Sequence, residues 1–176
     1  NTVVIAAIAW RDAVTLNAGD AGERRRQVDT SLSALDSVQK ELGEAFGTQK
    51  AFEAVHAGFD RLKDMPATGT PDAVFFAHIE FGERIVELAD AVTDASQLSL
   101  DPDLDTYHMM RVSIAAGPRQ NENTARLVTM GSLVLQSQSL DAARREPLLR
   151  WSAVQKTLDD DVERSYGAGI ESDPTA

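Results

Sequence analysis

Apolar residues recur at spacings of three and four along almost the whole chain, and no stretch alternates in the way a half-buried strand does. That period commits the chain to an all-α fold. The clearest run is Val74, His78, Phe81, Ile85, Leu88, Val92 and Ala95, a single seam that predicts a helix packed along most of its length. Thr70-Pro71-Asp72 stands in front of it as a helix start: a hydroxyl to cap, a proline at the first position, and an acid at the positive end of the dipole.

The other segments read similarly. Val14, Ala18, Ala21, Arg25, Val28, Leu32, Leu35, Leu42 and Phe46 keep one heptad seam, small-sided at first and strongly apolar from Val28 onward. Gly19 and Gly22 weaken its early half and predict a kink or break between Asn17 and Gly22. Gly47 closes this segment, and Thr48 opens a helix carrying Phe52, Val55, Phe59 and Leu62. That helix ends at Met65-Pro66-Ala67-Thr68-Gly69. A fourth helix starts at Asp101 and meets Gly117-Pro118 midway, where proline should kink or interrupt it. After a corner at Ser139-Leu140-Asp141, a fifth carries Leu148, Trp151, Val154, Leu158 and Val162. About five helices with short connections predict an elongated, mostly antiparallel, four-helix-bundle-like domain with crossing angles near 20°. The domain is expected over 1–166, with 167–176 as a linker or frayed tail.

Twenty-eight acidic residues against 17 basic ones give a net charge of −11, which repels nucleic acid and anionic lipid. With no cysteine, disulfides, thiolate metal sites and cysteine nucleophiles are excluded. No apolar run reaches the ~20 residues needed to span a bilayer. The opening Asn1 to Trp10 run reads either as a buried helix start or as a juxtamembrane helix with Trp10 near the interface. The absence of an initial methionine and the Gly- and Pro-containing C-terminus suggest a fragment of a longer protein.

Several side chains are candidates for chemistry. Glu53-Ala54-Val55-His56 fits one Glu-x-x-His ligand pair, and Asp105-Thr106-Tyr107-His108 is a shorter-armed second. A carboxylate-bridged dimetal site needs two such helices and two further inward glutamates, and Glu80, Glu83 and Glu87 fall off the apolar stripe. No metal is therefore assigned. His78 occupies a seam position: it is either a neutral core histidine satisfied by hydrogen bonds or a residue that contacts a ligand or senses protons. Arg24-Arg25-Arg26 reads as a solvated basic run, although Arg25 would need a carboxylate or an anionic ligand if drawn inward. No phosphate-binding loop, G-x-S-x-G elbow or H-E-x-x-H pair is present, so no cofactor, hydrolase or NTPase is expected.

Asp101-Pro102-Asp103-Leu104-Asp105-Thr106-Tyr107-His108-Met109-Met110 is a well-made helix start, with Asp101 as cap, Pro102 at the first position, and Asp103 and Asp105 on the dipole. With Leu98-Ser99-Leu100 in front, it also resembles the LxLDPDxDSYYLM stretch of helical sensor domains in bacterial transmembrane receptors. These receptors are sensor histidine kinases, hybrid kinases and methyl-accepting chemotaxis proteins. Arg11 followed by Ala18-Gly19-Asp20 is similar to the R…AGD of the same domains' first helix. His108 stands where a second tyrosine is usual, Met109 where leucine is, and Arg111 where aspartate is common.

The resemblance implies a periplasmic sensor domain of an inner-membrane histidine kinase. Such a domain lies between transmembrane helices, forms a homodimer, and passes a helix displacement to a cytoplasmic kinase core. The chain itself would not be an enzyme. A chemotaxis receptor is the close alternative; a metal-dependent helical enzyme and a purely structural interaction bundle are the others. Any small-molecule pocket is expected among His78, Tyr107, His108 and Arg111, with Arg25 a more distant candidate.

Overall fold

A computed structural model describes residues 2–65, 69–97 and 103–172. Among them every regular element is helical: α1 (Thr2–Thr15), α2 (Ala21–Phe46), α3 (Gln49–Lys63), α4 (Pro71–Ala95), α5 (Leu104–Met110), a π-helical segment (Arg111–Ala116), α6 (Gly117–Ser137) and α7 (Ala142–Ser172). The protein is an all-α helical bundle.

The predicted break falls between α1 and α2, where Asn17 takes a left-handed φ of 57° and the Ala18 N–H returns to the Ala13 carbonyl. Trp10 is a core residue, stacked edge-on against Phe59 and His78, and with Val4, Ala6 and Ala7 it brings the opening run into the core. The seam of α2 is only partly used. Val28 and Leu32 are fully buried, whereas Leu42 is 43% exposed and Arg25 is exposed too. Gly47 closes α2 as expected, with φ 60°.

Helix α4 begins as predicted, the Thr70 hydroxyl accepting from the Ala73 N–H. It is the axis of the molecule because it buries two faces. Phe81, Ile85 and Leu88 join Val4, Trp10, Val28, Val55 and Phe59 in one core, while Phe75 and Ile79 join Met130, Leu133 and Trp151 in a second.

The expected fourth helix is continuous but not uniformly α. Asp101 and Pro102 lie outside the described residues; α5 is flanked by Asp103, whose carbonyl accepts from the Tyr107 N–H and whose side chain makes no cap hydrogen bond. Pro118 does not break the rod. Instead the preceding turn widens to a π-helix in which the Gly117 N–H reaches the Val112 carbonyl, and α6 starts with proline in its first turn, where no N–H is needed. A Cβ on residue 117 would overlap that carbonyl oxygen, so the wide turn depends on glycine.

The boundary expected at 166 shifts, since α7 stays helical to Ser172 and only 173–176 lie outside the described residues. Gly169 is buried, and a Cβ there would come within 3.2 Å of His108 Cβ: residues read as a tail are the seat of α5. At the other end of α7, Arg144 grips Asp72 with both nitrogens, at 2.8 and 2.7 Å, which keeps the Asp72 carboxyl below its usual range.

Candidate functional site

A buried charge pair joins the two cores. Arg11, 1% exposed, donates from Nη1 to Glu122 Oε1 at 2.6 Å, and Glu122 also accepts from Arg126 Nε at 3.0 Å. Arg126 in turn reaches Glu83 at 3.2 Å. Beside the pair, the Thr129 hydroxyl lies 2.6 Å from Asp12 Oδ1, so α1 and α6 are tied by neighbouring polar contacts. Arg11 also lies over the Phe75 ring, 5.6 Å from its centroid, while its Nη2 has no hydrogen-bond partner. The position of Arg11 directly after the apolar Asn1 to Trp10 run is the signal that could mark its half of the pair; nothing in the sequence points to Glu122.

Against the other side of α1 lies a cleft of about 650 Å³, walled by α1, α2 and α4 with the end of α3. Its apolar surface includes Trp10, Val14, Leu62 and Val74, and its polar groups include Thr15, His78 and Arg25. His78 and Thr15 are each 4% exposed, and neither His78 Nδ1 nor Thr15 Oγ1 has a partner. Burial first, and the nearby Arg11 charge second, push the His78 imidazole down to about 3, so it is neutral at physiological pH.

The structure therefore brings His78 and Arg25 to one cleft and places Tyr107, His108 and Arg111 elsewhere. Arg111, the first residue of the π-helical segment, clasps Asp161 of α7 at 2.8 and 2.9 Å and donates to the Ser165 hydroxyl at 3.3 Å. The Tyr107 hydroxyl, then the Asp161 carboxylate, hold its guanidinium above the ordinary range. Tyr107 and His108 are half-buried in the same corner, their rings edge-on at 5.2 Å. Asp105 Oδ1 accepts from the Thr106 N–H at 2.8 Å, a local helix-start contact.

Among the remaining polar groups, His108 Nδ1 is also buried without a hydrogen-bond partner. Glu53 accepts from Gln49 at 2.7 Å, and His56 Nε2 lies 2.8 Å from Asp36 without hydrogen-bond alignment. Among the described residues no three His, Asp or Glu side chains converge as metal ligands. A smaller groove of about 330 Å³ between α4, α6 and α7 is lined by Glu83, Glu87, Asp90, Arg119 and Arg126, and its arginines are already paired with its own acids. No described helix is long and apolar enough to cross a membrane. Comparison with protein-family models, curated proteins and solved structures finds no match to this chain.

Proposed function

We propose that this chain is the periplasmic signal-input domain of a bacterial inner-membrane sensor histidine kinase, acting as a homodimer and passing a helix displacement to a cytoplasmic kinase core. The observation that carries the reading is the place of the described part of the motif, Asp103 to Met110. It lies on α5, which runs through a π-helical segment into α6 and is clasped to α7 by Arg111 and Asp161. Hydrogen bonds in a π-helical segment span one residue more than those of its α-helical flanks, so conversion between the two registers rotates one flank against the other. Signalling by helix displacement needs such a two-state element.

The route from cleft to motif is short in contacts. Thr15 and Trp10 wall the cleft on α1; Arg11, next to Trp10, holds Glu122 on α6; and α6 continues back through the π-helical segment to Arg111 and α7. A shift of α1 therefore has a charged, well-packed path to the last helix.

The test is the coding sequence on both sides of these residues, together with reporter fusions of the full-length product. Flanking hydrophobic segments, a periplasmic reporter phenotype, and a downstream phosphoacceptor histidine with an ATP-binding module are the expected result. A downstream methylated coiled coil would transfer the reading to a chemotaxis receptor, and a cytoplasmic reporter phenotype would overturn it.

A further inference from the structure

We propose that the cleft between α1, α2 and α4 binds a small hydroxylated organic acid, its carboxylate at Arg25 and its hydroxyl against His78 and Thr15. Two of the residues that line the cleft carry buried polar atoms that the protein leaves unpartnered, His78 Nδ1 and Thr15 Oγ1. Buried polar groups are normally satisfied, so two left open by residues of one cleft call for a partner from outside the chain. Among the described residues Thr15 carries the buried helical hydroxyl that has no partner. Ser31, Thr93 and Ser132 donate to the carbonyl four residues back, whereas Thr15 does not and is left for another partner.

The neutral His78 ring offers one N–H and one lone pair, and the Thr15 hydroxyl both donates and accepts. That combination matches a hydroxyl rather than a second charge.

The cation follows from the arginine run. Arg24 is engaged by Asp20 at 2.8 Å and Arg26 by Glu23, yet Arg25 has no ion-pair partner among the described residues and lines the cleft. Lys63, the other cation on the lining, is taken by Asp60 at 2.7 Å and by the Phe59 ring. Trp10, Val14, Leu62 and Val74 supply the apolar wall. The volume suits a ligand of ring size or somewhat larger.

As an account of what a receptor would detect, this inference rests on the function proposed above; binding itself is tested on the isolated chain. Isothermal titration calorimetry with 4-hydroxybenzoate is compared with 4-hydroxybenzamide, which lacks the charge, and benzoate, which lacks the hydroxyl. The acid is expected to bind, and each comparator to bind about tenfold more weakly, as for loss of one charge-assisted or buried hydrogen bond.

Arg25→Gln should reduce 4-hydroxybenzoate to the affinity of the amide while leaving the amide unchanged. Thr15→Val removes an unpartnered hydroxyl, so it should raise the melting temperature of the free chain while lowering affinity for the acid to that of benzoate. No heat and no thermal shift with millimolar 4-hydroxybenzoate would overturn the proposal, as would binding that neither substitution weakens. Failure here leaves the sensor reading to stand on the coding sequence, and a coding sequence without a receptor leaves the calorimetry untouched.

Discussion

Arg11 and His78 sit on neighbouring helices in the same interior, and each makes a distinct demand on stability. Arg11 is 1% exposed and its principal partner is Glu122, so removing the carboxylate strands a buried cation. Glu122→Met is expected to cost about 3–5 kcal/mol in urea unfolding, whereas the double variant Arg11→Met, Glu122→Met should cost clearly less, because no charge is left unpaired. A double variant as unstable as the sum of its parts would refute that coupling. His78 falls to about 3 in the folded protein from an ordinary 6.5. The unfolded chain therefore takes up the proton first as acid is added. Stability is full above pH ~6.5 and falls below it, by about 2 kcal/mol between pH 6.5 and 5 from this residue alone. His78→Phe should flatten that part of the pH profile, measured as urea midpoints at pH 7 and 5; an unchanged slope would show that other groups carry it. Of this interior the sequence disclosed His78, through its place on a seam, but it put Arg25 on a seam that α2 does not bury at that point. The pocket expected among His78, Tyr107, His108 and Arg111 divides in the structure, because residue spacing locates a side chain on its own helix and carries no information about which helix faces it.

Among the elements, the rod from α5 to α6 makes the sharpest prediction. Gly117 and Gly131 both lie in α6, yet a Cβ on Gly117 would overlap the Val112 carbonyl oxygen while one on Gly131 meets nothing within 4 Å. Gly117→Ala should destabilise by about 1–3 kcal/mol as the π-helical turn is forced to rearrange, and Gly131→Ala should be neutral or stabilise by up to about 1 kcal/mol. Thermal unfolding of the two variants checks this, and equal shifts would remove the case for a glycine-dependent wide turn. Gly169 is a second close approach. Gly169→Leu should prise α5 from α7 and expose Tyr107 to solvent, seen as faster proteolysis between Ala95 and Arg111. The long helices are legible because most bury a stripe that the sequence spells out at intervals of three and four, whereas α5 buries no residue fully. The π-helical segment was legible only as an interruption at Gly117-Pro118, since its i to i+5 bonding leaves no apolar period of its own. The last turns of α7 were hidden for a related reason: Gly167 and Gly169 read as breakers, although burial of Gly169 against His108 and Met109 outweighs their low propensity.

At the scale of the molecule, two apolar cores share α4 and are bridged by the Arg11 and Glu122 pair, so they are expected to unfold as one unit. The chain supplies its own reporters, because Trp10 belongs to the first core and Trp151 to the second. In Trp10→Phe the remaining fluorescence follows the second core, and in Trp151→Phe it follows the first. Each variant should show a urea transition in fluorescence that coincides with the loss of helical circular dichroism, as a two-state unit requires. The absolute midpoints will drop in both, since a buried indole is lost, which is why the comparison is made between probes within one variant. Cooperativity of this kind is what a helix-displacement device needs: a perturbation of α1 at the cleft is felt at α7 only if the intervening cores move as packed bodies. If fluorescence and dichroism separate in either variant, the cores are independent. The charged path from Arg11 through Glu122 to the π-helical segment then carries no mechanical signal.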